Sequence, residues 1–160
     1  MTLKKPALDP MTLAPRTSSG YPEPYRSRVL PREKRALGDP LGLTKIGINY
    51  TTLPPGKESS MRHWHTHEDE FIFVLSGEIV VKTDAGEQTL GAGMCAGFPA
   101  SADGRTGDGH QLINRSSEPA VYLEFSNRDK ADRAFYPDVD LHFHGTGAAV
   151  MFTRKDGSRF

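Results

Sequence analysis

A chain of 160 residues is long enough for one domain with its own core and short for two. Its 20 lysines and arginines balance 20 aspartates and glutamates, which excludes a nucleic acid or other polyanion drawn in by bulk charge. Cys95 is the only cysteine, so no internal disulfide can form, and no apolar run approaches the length of a membrane span.

The N-terminus predicts no secretion leader, because Pro6, Asp9, Pro10 and Pro15 interrupt it; with the lone cysteine this points to the cytoplasm. Glycine (16) and proline (12) are plentiful and long helical periodicities are absent, which predicts an all-β chain with many turns. Residues 1–40 hold seven of the twelve prolines and read as an extended N-terminal arm. Residues 20–40 are expected to lie along a partner subunit, because Tyr21, Tyr25, Val29 and Leu30 have little else to pack on; Arg32 to Ala36 can form one helical turn.

Residues 41–128 read as the barrel. Leu43 to Leu53 alternates as a strand, and Pro54-Pro55-Gly56 ends it. Ser59 to His65 is the next strand. Glu70 to Leu75 follows, with Phe71 and Phe73 on one face and Ile72 and Val74 on the other, as in a central strand covered on both sides. Ser76-Gly77 turns into Glu78–Thr83, and Asp84-Ala85-Gly86-Glu87 has the composition of a hairpin turn before Gln88 to Leu90 returns. Met94 to Phe98 is a short strand in which Cys95 reads as buried filling. A glycine-rich loop, 100–109, leads to strands His110–Asn114 and Ala120–Ser126. Residues 129–160 form a C-terminal extension: a helical turn near Asp129 to Ala134, then a terminal hairpin from Ala149–Thr153 through Lys155-Asp156-Gly157 to Arg159-Phe160. Eight to ten short strands in all is the spacing of a sandwich or barrel.

Chemistry concentrates in His63-Trp64-His65-Thr66-His67-Glu68-Asp69-Glu70. Side chains two apart on a strand share a face, so His63 and His65 project together and Trp64 packs on the other side. Glu70 lies past a short turn and can swing back onto the same centre. Two imidazoles and a carboxylate suit a divalent ion (iron, manganese, zinc, nickel or cobalt) and leave positions open. A fourth ligand is expected from a neighbouring strand, and His110 is the candidate. The 63/65 pair is preferred to 65/67, which leaves too few residues before Glu70 for the turn; His67 then sits in that turn. His142 and His144 have no carboxylate nearby and read as exposed or interfacial. Arg105 reads as a solvated loop residue, with an anion-binding lid as the lesser alternative. Tyr122 and Glu124 share a strand face and can line the pocket.

The spacing of His63, His65, Glu70 and Gly77 resembles the first motif of the cupin superfamily, and the stretch Phe71–Glu78 is similar to its characteristic strand and turn. Gly93, Pro99, His110 and Asn114 resemble the second motif, with about six extra residues in the 100–109 loop. The resemblance implies a cupin-type jelly-roll β-barrel, all-β, that holds its metal through His63, His65, Glu70 and His110. It further resembles small single-domain bacterial cupins, some loosely named sugar-phosphate isomerases. Besides a barrel whose metal is only structural and which acts through its dimer surface, two functions remain open. One is a metal-dependent isomerase or dioxygenase on a sugar derivative, keto acid or similar compound, in which Glu70, if not ligating, is the base. The other is a module in which the metal merely anchors a small-molecule ligand. The arm and the sheet edges predict a homodimer.

Overall fold

The computed structural model of the protein describes residues 3–104, 106–144 and 151–160. A 3₁₀ turn, Pro10–Thr12, is capped by Asp9, whose carboxylate accepts from the Met11 N–H at 2.9 Å. A single-turn helix α1, Tyr25–Val29, starts after Pro24, and the Glu23 carboxylate accepts from the Ser27 backbone N–H at 3.2 Å and from its hydroxyl at 2.7 Å. Pro31 stops it, since proline cannot donate within a helix. The helical turn expected at Arg32 to Ala36 is instead strand β1, Glu33–Ala36. Its residues pair in register with β2, Ile46–Leu53, from Glu33 opposite Thr52 to Ala36 opposite Asn49. A free sheet edge satisfies four residues of backbone better than one isolated turn.

One sheet contains β1 and β2, then β9 (Ala120–Asn127), β4 (Glu70–Ser76) and β7 (Cys95–Phe98). A second contains β6 (Gly86–Gly91), β5 (Glu78–Thr83) and β8 (Gln111–Ile113). A third contains β12 (Met151–Thr153), β11 (His142–His144), β10 (Ala134–Phe135) and β3 (Trp64–His65). All of these pairings are antiparallel. The second and third are stitched together where His63 and His110 exchange backbone hydrogen bonds of 3.1 and 2.8 Å and the Ser59 N–H reaches the Leu112 carbonyl at 2.8 Å. The result is a two-layered jelly roll. Gly77 makes the corner between β4 and β5 at φ +76°, where an added Cβ would lie 2.8 Å from the Pro119 carbonyl oxygen.

Leu53, Ile72, Val74, Ile79, Val81, Leu112 and Tyr122 form the core between the layers. A second cluster joins Tyr21 and Val29 of the arm to Met61 and to Ala134, Tyr136 and Leu141 of the C-terminal extension. Tyr25 and Leu30 pack against it. The arm residues thought to need a partner subunit are thus covered by their own chain.

Several other expectations change. Only Trp64–His65 of the Ser59–His65 strand is strand, because Ser59 to His63 pairs with β8 through isolated bonds. β4 is buried on one face only: Ile72 and Val74 are inside, while Phe71, Phe73 and Leu75 remain 40%, 36% and 40% exposed. Cys95 is exposed rather than core, being paired across from Phe73 on that outer face. Asp129 to Ala134 is not helical; its last residue opens β10. In the terminal hairpin, Thr153 bridges Arg159, while Ala149 and Val150 lie outside the described residues.

Candidate metal centre

Extended backbone through His63 into the short strand β3 places the His63 and His65 rings on one side, 4.9 Å apart, and Trp64 on the other. Trp64 stacks on Phe135 with centroids 4.6 Å apart, and Gly107 of the long loop lies so close that a Cβ there would be 2.8 Å from the indole. The loop therefore packs against the outside of β3, and none of its described residues lines the cavity behind the histidines. Arg105 and the side chain of His144 lie outside the described residues, and His142 is half-buried, its ring stacked on Phe135.

Glu70 opens β4 on the inward face shared with Ile72 and Val74. His110 arrives from the opposite layer. Its backbone pairing with His63 aims it despite the extra loop residues, and Phe98 stacks flat on its ring at 3.9 Å. The Nε2 atoms of His110, His65 and His63 lie 2.7, 3.5 and 3.7 Å from Glu70 Oε2. The ligand atoms of His63, Glu70 and His110 lie within 4.8 Å of one another, with His110 coming from far along the chain, and His65 reaches the same carboxylate oxygen from the side.

The outer ring nitrogens explain why the inner ones face inward. His63 Nδ1 is 2.9 Å from the Met61 carbonyl, and His65 Nδ1 is 2.6 Å from Asp132 Oδ2. Such contacts select the tautomer that leaves Nε2 as an acceptor. His65 Nε2 is buried and has no hydrogen-bond partner among the described residues. An orphaned imidazole nitrogen beside two more and a carboxylate fits a divalent ion.

Electrostatics agrees. Burial, reinforced by the neighbouring His110, pushes His63 down to about 3, so it is neutral at physiological pH. Burial alone would raise the Glu70 carboxyl; the His110 hydrogen bond and the three imidazoles outweigh it and hold the group well below the usual carboxylate range. For His65 burial pulls down, but the bond to Asp132 and the charge of Glu70 win and raise it.

Asp132 was not singled out from the sequence. Besides His65 it accepts from the backbone N–H of His67 at 2.8 Å and of Glu68 at 3.2 Å, so His67 contributes its backbone here. His65, Glu68 and Asp132 form a second group whose ligand atoms lie within 4.8 Å of one another. No spacing rule marks Asp132, which stands in an unpatterned polar segment; only the pairing of β3 with β10 brings it near.

The four side chains floor a cavity of about 570 Å³, within the usual range for small-molecule sites. Tyr122 and Glu124 line it, together with Tyr21 and Tyr136, whose hydroxyls are 3.2 Å apart. Glu124 accepts from Lys34 Nζ at 2.7 Å and from the Thr51 hydroxyl at 2.6 Å.

A double-layered antiparallel barrel with this His-x-His, Glu and His arrangement defines a class, and the chain belongs to it: it is a member of the cupin superfamily. Residues 49–126 match the cupin domain family. A crystal structure of a sugar phosphate isomerase of the cupin superfamily from Silicibacter pomeroyi is 37% identical, covers 97% of this chain and 96% of its own, and superposes with a TM-score of 0.88. A candidate sugar phosphate isomerase from Acidithiobacillus ferrooxidans is 28% identical over 81% of this chain and 80% of its own, with a TM-score of 0.68. A polyketide cyclase from Streptomyces resistomycificus shares the fold at 15% identity, covering 86% of this chain and 87% of its own, with a TM-score of 0.67. No curated protein matches the chain. No helix among the described residues is long and apolar enough to cross a membrane.

Proposed function

We propose that the protein is a metal-dependent enzyme that isomerises a small hydroxy-carbonyl compound of the sugar class, with His63, His65, Glu70 and His110 holding one divalent ion. The observation that carries this reading is the convergence of three imidazoles and a carboxylate, with His65 Nε2 buried and unpartnered. Mixed nitrogen and oxygen donors suit iron, manganese, zinc or nickel. Bound there, such an ion supplies a Lewis acid for the carbonyl and hydroxyl oxygens of a substrate. The phenols of Tyr21 and Tyr136, raised by burial, stay protonated and can donate to a substrate oxygen. Glu70 holds the ion first; a carboxyl kept so acidic is a weak base, so its second role as proton acceptor is the lesser one. The relative from Silicibacter pomeroyi, a sugar phosphate isomerase by description, supports the substrate class.

One observation favours a second reading, a non-catalytic module in which the metal anchors a ligand. Both carboxylates of the cavity are engaged, Glu70 by His110 and Glu124 by Lys34 and Thr51. Metal analysis of the purified protein, then proton NMR of phosphorylated aldoses and ketoses in deuterated water, separates the two. The enzyme reading expects about one divalent ion per chain and deuterium entering the carbon next to the carbonyl. Tight ligand binding without exchange favours the module, and failure to bind any of the four metals overturns both.

We further propose a homodimer formed through the outer face of β4, supported by its exposed Phe71, Phe73 and Leu75, and a cytoplasmic location, supported by the free, exposed Cys95.

A further inference from the structure

Three buried side-chain polar atoms lack a hydrogen-bond partner among the described residues: His65 Nε2, Tyr122 Oη and Arg32 Nη1. All three belong to residues lining the same cavity. The metal reading accounts for the first and says nothing of the others. Arg32 lies between α1 and β1, only 8% exposed. A buried guanidinium nitrogen without an acceptor is unfavourable and rare in native folds. Its neighbours do not supply one. Tyr21, Tyr122 and Tyr136 all sense its charge, but at ordinary pH they are neutral phenols. Glu124 is close enough to act on Tyr122, yet its two oxygens are held by Lys34 and Thr51. Glu70 is turned to the histidines. Arg16 joins the same wall, because its backbone pairs with Lys34 through bonds of 2.8 and 3.1 Å. The cavity is thus lined by three cations, Arg16, Arg32 and Lys34, against two carboxylates, Glu70 and Glu124. A divalent ion would tip that balance further.

We propose that Arg32, with Arg16 lining the same cavity, forms an anion subsite that receives the phosphate or carboxylate group of the substrate, while the rest of that molecule extends towards the His63, His65, His110 and Glu70 cluster. The planar fork of an arginine matches either anion with two parallel bonds. The N-terminal arm is then part of the site rather than a tail. The subsite deepens the function proposed above, and rests on it for the ion alone.

Inorganic phosphate and acetate are titrated into the full-length protein, metal-free and metal-loaded, by calorimetry, alongside Arg32→Gln, Arg32→Lys and Arg16→Ala; divalent-ion stoichiometry is measured on each sample. The parent is expected to bind at least one anion without metal, and Arg32→Gln to weaken it by about tenfold or more, with Arg32→Lys intermediate. Arg32→Gln should keep the parent's ion stoichiometry and, in anion-free buffer, melt no lower than the parent, because an unpaired buried charge has gone. A preference for phosphate assigns a phosphomonoester, and a preference for acetate assigns a carboxylate. The proposal is overturned if neither anion binds the parent, if Arg32→Gln binds as the parent does, or if Arg32→Gln melts far lower while anion affinity is kept. Anion binding that needs Arg32 in a protein that takes up no metal would keep the subsite and discard the metal-dependent function.

Discussion

Asp132 shows how much one residue outside the inner group can decide. It bonds His65 at 2.6 Å and also ties down the backbone of the turn that leads to Glu70. Asp132→Asn should therefore lower divalent-ion affinity by about 10- to 100-fold while leaving the stoichiometry of one. Competition titration with a coloured chelator measures it, and an unchanged affinity would show that His65 needs no outside support. The same pair sets a pH dependence. His65 is raised in the folded state, so its contribution is complete below its ordinary value of about 6.5 and disappears as pH rises through the folded one. For Asp132 burial pulls up, but the His65 bond wins and lowers it; its contribution is complete above about 3.9 and disappears as pH falls through the folded value. Metal-free protein should thus gain most from this pair between about pH 4 and 6.5, seen as a plateau in urea unfolding that Asp132→Asn removes. Ion binding displaces the proton from His65, so metal affinity should climb with pH through the raised value.

The decisive elements are short. β3 spans only Trp64–His65, yet its pairing with β10 brings Asp132 to His65, and the bridge beside it locks His63 to His110. That bridge explains why a loop of ten residues between Pro99 and His110 does not misdirect the histidine: aim is set by the ladder, not by the length of the connection. Gly77 plays the corresponding part at the corner from β4 to β5. Alanine there would meet two backbone atoms, Pro119 O at 2.8 Å and Ala120 Cα at 2.9 Å, in a left-handed conformation. Gly77→Ala should destabilise the protein by roughly 2–3 kcal/mol in urea unfolding, since neither neighbour can rotate away. A cost within error of zero would mean that the corner relaxes as a unit.

On the scale of the whole molecule, the outer face of β4 is left exposed by the described residues. Along it Phe71 sits opposite Phe125 and Gly97, and Phe73 opposite Leu123 and Cys95, while Ile48 and Tyr50 continue the rows on β2. A stable dimer through this face needs about 800 Å² from each copy. The double change Phe71→Ser with Phe73→Ser should then halve the mass measured by light scattering in the micromolar range without unfolding the chain. A parent that is already monomeric there would remove the homodimer from the account.

The alternation of His63 and His65, the turn that returns Glu70, and the two motif spacings were enough to name the fold and to single out a set of side chains of which His63, Glu70 and His110 bring their ligand atoms within 4.8 Å of one another. Period-two geometry acts within a strand, so it can be read without knowing what the strand pairs with. The one-sided burial of β4, the exposure of Cys95, the folding of the arm onto its own chain, and the roles of Asp132 and Arg32 could not be read that way. Each depends on which distant segment supplies the neighbouring surface or the hydrogen-bond partner, and that is set by sheet register and by the closure of the two layers.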